Sequence, residues 1–475
     1  MSGTTLSRRS VLGLATAAAA SVTLSAIPYA QGQAATLGTL SALGVDAQSL
    51  VSSAERALAF QNLMMDAYAT GSTVRLAQSY SDEALGATAF TYDNAVSIQA
   101  YLASPDGNAL DRAKILGDGL LFAQQHNFPI ADGRFAQAYF VNVAAAPGGA
   151  FITPAAAPFY FYGSTVGDQA WAGMALAQLF ARTGDSRYLT GALSVGNWIV
   201  TNAFSTVGAG GFSFGTTINP SNQSVPSTNG KSTEHNIDVF AFFTMLIRLT
   251  KGGSASNGSL WSALAQHAIQ FVTAMYNPAG PFFYTGTLGN GITINPKPIP
   301  EDVQTWSFLA TLSQPWSRTI DWAFANLQTT DTAAAPHSSL TGTERITGLV
   351  FDTASLTSTA DDPTAVWLEG TAHTATALVA RALHGGDTLA GLLADLGSAL
   401  RLLGQCEKAQ SLLGAGKSAG GRPIPQGLGL VAATSILDTG FGYTYGPSLH
   451  IGATGWFLLA ALAGNPFQLR SARLL

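Results

Sequence analysis

The chain has 475 residues, of which 47% are hydrophobic and only 10% are charged, well below the roughly 25% of ordinary domains, so it can bury a large core beneath a thinly charged surface. Its net charge of −5 argues against a nucleic-acid or anionic-membrane partner. The single cysteine, Cys406, excludes an intramolecular disulfide and a cysteine-based metal site.

The N-terminus has the pattern of an export signal. The pair Arg8-Arg9 precedes an Ala-rich apolar run that ends at Ile27, and small residues suited to cleavage follow at 32–34. A membrane anchor is the alternative, but the run is short for a bilayer span. We therefore predict a twin-arginine signal peptide over residues 1–34 and export to the periplasm or the medium. Its removal deletes two arginines and no acid, so the mature charge is about −7 (−5 minus 2).

Helical periodicity dominates the rest of the chain, and no linker or change in composition divides it, so we predict one domain over residues 35–475. Connections within successive helix pairs are mostly short, and those between pairs are mostly long. Strands or hairpins are predicted only within 277–299 and 330–363. The predicted helices cover 47–70, 92–102, 109–125, 168–182, 186–202, 233–249, 259–276, 302–312, 317–327, 364–383, 388–413 and 450–463.

The even-numbered helices are apolar nearly all round, whereas the odd-numbered helices carry most of the charge. This alternation predicts an inner ring buried on every side and an amphipathic outer ring. The best example of an inner helix starts at residues 232–238, where Ser232 or Thr233 can act as the N-cap before a long apolar run.

The N-terminal turns of the inner helices, called their mouths below, are polar and mostly acidic. Intervals of 75, 68, 66, 67 and 83 residues separate six equivalent positions, and a near-constant period predicts a closed ring or a solenoid. The sixth position has no acid. The six positions are Asp93, Asp168, Asn236, Asp302, Glu369 and Gly452.

Three segments carry a family resemblance: residues 92–95 (Tyr-Asp-Asn-Ala), 234–238 (Glu-His-Asn-Ile-Asp) and 367–372 (Trp-Leu-Glu-Gly-Thr-Ala). Over residues 45–470 the chain resembles the (α/α)6-toroid carbohydrate-active enzymes, which include glycoside hydrolases, polysaccharide lyases and sugar epimerases. The resemblance implies an all-α fold of twelve helices in two concentric rings, with long loops and small β-hairpins on one face. It does not supply catalytic residues, because a fold hosts many activities.

Glycoside hydrolysis needs one protonated and one ionised carboxyl group beside the scissile bond. We predict Glu234 as the general acid and Glu369 or Asp93 as the base. Glu369 lies among apolar neighbours, so we expect a raised pKa for its carboxyl group. Asp93, like other mouth acids, has the alternative role of a helix cap. Glu301, which follows a proline-rich segment, is expected to be solvated.

Other side chains at the helix mouths are candidates for substrate binding, the aromatic ones by stacking on sugar rings. Each has a plain structural alternative, as a core aromatic, a cap or a neutral histidine. These candidates are Tyr92, Asp168, Trp171, His235, Asp238, Asp302, Trp306, Trp367, His373, Tyr443, Tyr445, His450 and Trp456.

No cofactor and no zinc site are expected, because zinc-binding histidine spacings are missing, while calcium held by Asp and carbonyl oxygens stays open. The favoured function is an exported, monomeric glycoside hydrolase that cleaves a polysaccharide or oligosaccharide, inverting and endo-acting. One alternative is a polysaccharide lyase that uses Arg134, Tyr139, His235 and Asn236. Another is a non-catalytic glycan-binding accessory protein.

Overall fold

The computed structural model describes residues 47–141, 163–219, 221–250, 255–384 and 388–470. The predicted signal peptide and the aromatic residues 159–162 of one predicted loop lie outside this part. The described part contains twelve helices of ten residues or more. They are α1 Ala47–Met65, α2 Thr91–Ala103, α3 Ala109–Gln125, α4 Val166–Thr183, α5 Ser186–Ala203, α6 Thr233–Thr250, α7 Ala255–Ala274, α8 Asp302–Thr311, α9 Arg318–Leu327, α10 Leu368–His384, α11 Leu389–Leu412 and α12 Ile451–Ala461.

The even-numbered helices form a closed inner ring. Each packs against the next even-numbered helix, and α12 packs against α2. Helices α3, α5, α7, α9 and α11 each pack outside the inner helix that precedes them, while α1 packs on α12. The first and last helices of the chain therefore complete the two concentric rings, and the predicted (α/α)6 toroid is confirmed.

Burial follows the apolar pattern of the sequence. All eleven residues of α12 are buried, as are the first fourteen of α4, Val166 to Leu179. Outer helix α9 buries only Thr319, Ile320, Ala323 and Leu327, which recur at helical spacing along one face. None of the helices in the described ranges has the length and apolarity needed to cross a bilayer.

Short antiparallel strands accompany the helices. β1 and β3 run directly into α2 and α4, so these two strand pairs lie at inner-helix mouths. The pairs are β1 Thr88–Phe90 with β2 Ala138–Phe140, β3 Ser164–Thr165 with β4 Gly215–Ile218 and β5 Ser224–Pro226, β6 Tyr276–Asn277 with β7 Phe282–Phe283, β8 Gly286–Thr287 with β9 Ile294–Asn295, β10 Gln328–Thr332 with β11 Arg345–Leu349, β12 Ser418–Ala419 with β13 Arg422–Pro423, and β14 Leu437–Asp438 with β15 Thr444–Tyr445.

Two predicted helix ends are corrected. α10 begins at Leu368 rather than residue 364, because the Trp367 N–H donates to the carbonyl of Leu349 and holds this stretch extended. α1 ends at Met65 rather than residue 70, where the buried Arg75 side chain donates to the Met65 carbonyl. In both cases a partner distant from the helical pattern satisfies the backbone.

Candidate active site

The mouths of the inner helices meet at one end of the ring. Tyr92 of α2 donates a hydrogen bond to Glu369 of α10 and accepts one of 2.8 Å from Trp456 Nε1 of α12. The ring of Tyr92 also lies 5.0 Å from that of Trp171 in α4 and 6.2 Å from that of Trp306 in α8. Side chains spread over more than 360 residues of sequence therefore share one site.

Glu369 lies between two histidines. Its Oε1 is 3.6 Å from His373 Nε2, and its Oε2 is 3.5 Å from His450 Nδ1. Burial raises the pKa of Glu369, but the polar contact from His373 and the charges of both histidines outweigh burial and lower the pKa overall. This corrects the expected raised pKa. Glu369 is ionised at neutral pH, which suits a base and not a general acid.

The first of these histidines has a second carboxylate behind it. His373 Nδ1 lies 3.0 Å from Glu301 Oε2, and Thr374 Oγ1 donates to Glu301 Oε1 at 2.7 Å. Burial lowers the pKa of His373, but its contacts with Glu301 and Glu369 outweigh this and raise the pKa to about 9. His373 is therefore an imidazolium between two glutamates.

The expectation that Glu301 is solvated was wrong, because this residue is fully buried. Its N–H donates to the carbonyl of Phe351, and the adjacent Pro300 forms a bridge with Asp352. The loop that follows β11 thus covers Glu301. A glutamate beside prolines gives no sign in the sequence that a loop fifty residues away will bury it.

The second histidine, His450, has Asp93 behind it. His450 Nδ1 accepts from the Ala453 N–H at 3.2 Å and so caps α12, while His450 Nε2 donates to Asp93 Oδ1 at 3.0 Å. The Tyr80 ring stacks on the imidazole, with centroids 4.2 Å apart. A Cβ on Gly452 would lie 2.6 Å from His450 Cε1 and 2.9 Å from Asp93 Oδ1. The sixth unit lacks an acid because Asp93, from the neighbouring helix, needs that space.

Glu234 and Asp238 lie one turn apart on α6. Ser232 Oγ accepts from the His235 N–H at 3.2 Å, which confirms Ser232 as a cap. Glu234 is partly exposed to the site and Asp238 is fully buried. Burial raises the pKa of both carboxyl groups, and the negative charge of Asp302 raises both further. The raised pKa favours the protonated form of Glu234, as a general acid requires.

Burial raises the pKa of each of three more acids, Asp168, Asp302 and Asp352, to about 7. The Thr165 hydroxyl, and not Asp168, caps α4, and this hydroxyl donates to Asp168 Oδ2 at 2.6 Å. Phe90 is the N-cap residue of α2, so the alternative role as a helix cap fails for both Asp93 and Asp168. Asp352 was missed by sequence reasoning, because it lies in a loop among turn-forming residues.

The tryptophans Trp171, Trp306 and Trp456 form a floor beneath the acids. Their exposed fractions are 1%, 2% and 0%, and the rings of Trp306 and Trp456 stack with centroids 5.8 Å apart. Phe467 packs against all three. With so little ring surface open, these residues support the site, which corrects the expectation that they stack directly on a sugar.

A second aromatic group forms one wall. Trp367 stacks on Tyr445 with centroids 6.1 Å apart, and Phe351 lies 4.7 Å from Trp367 and 6.4 Å from Tyr443. Burial and the charges of Glu234 and Asp302 raise the pKa of Tyr443, so its hydroxyl lies near the acids. Tyr443 and Tyr445 are partly exposed, as is Tyr92, so these three of the predicted aromatic candidates can contact a ligand.

His235 is a neutral histidine at the edge of the site. Burial lowers its pKa to about 4, and its ring lies 4.6 Å from that of Phe214. Gly167 is essential to this packing, because a Cβ there would lie 2.5 Å from His235 Cδ2.

Three of the four residues named for a lyase have structural roles. Arg134 is buried and pairs with Asp132 at 2.7 Å. Tyr139 is fully buried, and its hydroxyl donates to Asn127. The Asn236 side chain hydrogen-bonds only to backbone atoms. The alternative is left with His235 as its base, without the free Arg or Asn that would neutralise a uronate.

Several buried polar atoms at the site lack a hydrogen-bond partner within the described part of the chain. Buried polar groups are normally paired, so unpaired groups that converge on one place indicate a missing partner rich in donors and acceptors. These atoms are both carboxyl oxygens of Asp238, Asp93 Oδ2, Asp352 Oδ2 and the indole Nε1 atoms of Trp171, Trp306 and Trp367. Within the same residues, no three His, Cys, Asp or Glu side chains are placed to hold a metal ion.

The sequence matches no protein-family profile and no curated protein. The structure, however, is similar to solved carbohydrate-active enzymes. A glycosidase variant in complex with glucose aligns with a TM-score of 0.57 at 11% identity, over 89% of this chain and 99% of that one. A sugar epimerase from a ruminal bacterium aligns with a TM-score of 0.56 at 12% identity, over 87% and 98%.

A family 76 α-mannanase from Bacteroides thetaiotaomicron aligns with a TM-score of 0.54 at 11% identity, over 90% of this chain and 98% of that one. The chain thus has the (α/α)6-toroid fold of these carbohydrate-active enzymes, and the resemblance seen in the sequence is confirmed at the level of fold. Hydrolases and an epimerase share this fold, so the reaction has to be argued from the site.

Proposed function

We propose that the protein is an exported glycoside hydrolase, with Glu234 as the general acid and Glu369 as the base. One observation carries the proposal: two carboxyl groups of one site have pKa values shifted in opposite directions. Burial and neighbouring acids raise the pKa of Glu234, whereas two histidines lower the pKa of Glu369. Such divergence assigns acid and base at a single working pH. Strongly perturbed acids also favour catalysis over glycan binding alone.

In the proposed reaction, Glu234 gives its proton to the glycosidic oxygen as the bond from that oxygen to the anomeric carbon breaks. Glu369 takes a proton from a water molecule whose oxygen attacks the anomeric carbon from the opposite side, which inverts the configuration. His373, His450 and Tyr92 keep Glu369 ionised and oriented until it accepts that proton. Asp93 is the second candidate for the base, because its Oδ2 has no hydrogen-bond partner.

The substrate we propose is a polysaccharide or oligosaccharide bound by its inner residues. Strand pairs and loops stand at the mouths of the inner helices, and the partly exposed Tyr443 and Tyr445 lie on the hairpin β14–β15. A wall of this kind supports endo cleavage of an extended chain. The twin-arginine motif supports export to the periplasm or the medium.

The second candidate function is sugar epimerisation, favoured by two histidines on either side of Glu369. It is the weaker candidate, because a histidine must be neutral to remove a proton. The two glutamates raise the pKa of His373 to about 9, so it holds a proton at neutral pH, and the Nδ1 of His450 already accepts the Ala453 N–H.

The test is a glycan screen with the mature protein and three variants. Glu234→Gln and Glu369→Gln should each lower kcat by a factor of roughly 10² to 10⁴ with little change in KM, the usual worth of positioned proton transfer. Glu55→Gln, on outer helix α1, is the matched control and should keep full activity.

New reducing ends identify a hydrolase, and new ultraviolet absorbance identifies a lyase. A changed sugar with a constant number of reducing ends identifies an epimerase. If Glu234→Gln keeps more than about a tenth of wild-type kcat, Glu234 is not the general acid.

A further inference from the structure

The density of acids at the site exceeds what hydrolysis requires. Two carboxyl groups suffice for glycosidic cleavage. Here eight of the chain's 27 acidic residues form one electrostatically connected group. They are Asp93, Asp168, Glu234, Asp238, Glu301, Asp302, Asp352 and Glu369.

Positive charge is scarce around this group. Across the described ranges, the ion pairs of these eight acids involve only His373 and His450, which face Glu301, Glu369 and Asp93. No Lys or Arg in these ranges forms an ion pair with them. The acids on the side of Glu234 therefore face one another without a cation, and like charges at short range raise the free energy of the ionised state.

Asp238 gives independent evidence for a missing partner. It is fully buried, and although the Trp171 indole N–H lies close enough to lower its pKa, neither carboxyl oxygen receives a hydrogen bond of ordinary geometry from the described residues. Asp168 and Asp302, whose charges act on Asp238, are 8% and 5% exposed. A ligand that reaches these two residues lies in the field of all three carboxyl groups.

We propose that the site is selective for a sugar that carries a free amino group, such as a hexosamine unit of a glycan. An ammonium group supplies a positive charge and three N–H donors, which Asp168 and Asp302 can accept. A neutral sugar leaves the mutual repulsion of the acids in place, and a uronate adds to it. This inference rests on the proposed function for its site but concerns recognition, so the two are tested separately.

Binding of monosaccharides measures the preference without knowledge of the linkage. Glucosamine, galactosamine and mannosamine are compared with their N-acetylated and parent neutral forms, and with glucuronate, below the pKa of the free amines. For at least one of the three sugars, the amino form should bind about tenfold more tightly than its acetylated form, and this advantage should shrink as salt is added. Glucuronate should bind least.

Two variants locate the effect. Asp168→Asn can keep the hydrogen bond from Thr165, and Asp238→Asn replaces a carboxyl group whose pKa burial already raises, so both should fold. Each should reduce the preference for the amino sugar, whereas Asp111→Asn on the exposed surface of α3 should leave it unchanged.

Equal affinity for amino and acetylated forms, or no binding of any amino sugar, would overturn the inference. Displacement of the amino sugar by millimolar Ca²⁺ would also overturn it, in favour of a metal site. Cleavage of a neutral glycan that depends on Glu234, with no preference for amines, would leave the proposed function intact and remove this inference alone. Amino-sugar binding without cleavage of any glycan would support this inference and contradict the proposed function.

Discussion

Glu301 and His373 form a fully buried ion pair, with 3.0 Å between Glu301 Oε2 and His373 Nδ1. The opposite nitrogen of the same imidazole faces Glu369 at 3.6 Å. Glu301 keeps His373 protonated, and the charge of His373 in turn keeps Glu369 ionised. Residues one layer behind a site commonly orient and tune the groups in front of them in this way. Glu301 is therefore a positioning residue.

Replacement of Glu301 by Gln tests this arrangement. Loss of the negative charge lowers the pKa of His373, so Glu369 loses a cationic neighbour and its own pKa rises. The acidic limb of the profile of kcat/KM against pH should move to higher pH, while KM at the optimum changes little. Glu55→Gln is the control. A profile identical to that of the wild type would show that Glu301 has only a packing role.

Gly452 keeps the second histidine in place. Gly452→Ala adds a Cβ 2.6 Å from His450 Cε1 and should separate His450 from Asp93, with a loss of activity larger than the loss of stability. Gly404 on α11 is the matched control, because nothing lies within 4 Å of a Cβ there. Gly404→Ala should stabilise the protein by up to about 1 kcal/mol, measured by chemical denaturation. Full activity in Gly452→Ala would contradict this role of the glycine.

The floor and the wall of the site should respond differently to truncation. Trp306→Ala removes a fully packed indole and should lower the free energy of unfolding by about 3–5 kcal/mol, mainly through the cavity it leaves. Tyr443→Phe should leave stability almost unchanged and weaken glycan binding, measured by calorimetry. A stable Trp306→Ala protein with weakened binding would restore direct stacking as the role of Trp306.

The free energy of unfolding should fall as pH rises from about 4 to about 7, because of buried acids such as Asp352. Asp352 has a folded pKa of about 7, above its unfolded value, so its contribution is present below about pH 4 and is lost as pH rises through 7. Asp352→Asn keeps an oxygen for the Ala354 and Ser355 N–H groups. The variant should therefore resemble the wild type at pH 4 and be more stable at pH 8. Thermal unfolding at both pH values, with Asp111→Asn as the control, checks this prediction. Equal stability of Asp352→Asn and wild type at pH 8 would refute it.

Much of the ring could be predicted from the sequence, because it follows from local patterns. Helices α6 and α12 are apolar on every side and can only be stable when surrounded, whereas α9 has one apolar face and must lie outside. The regular interval between Asp93, Asp168 and Glu369 placed these acids at equivalent helix mouths. Such signals lie within a few turns of chain and depend little on distant residues.

The charge state of each acid was decided only by the tertiary structure. Glu369 looked like an acid with a raised pKa, but His373 on the same helix lowers its pKa, and His450 and Tyr92, 81 and 277 residues away, lower it further. Glu301 looked solvated until the loop at Asp352 covered it. A pKa depends on the charges and burial within a few ångströms. Apart from His373, which lies one turn along α10, the groups that lower the Glu369 pKa come from other parts of the ring. The local sequence therefore determined where the acids lie, and the packing of the ring largely determined which of them hold a proton.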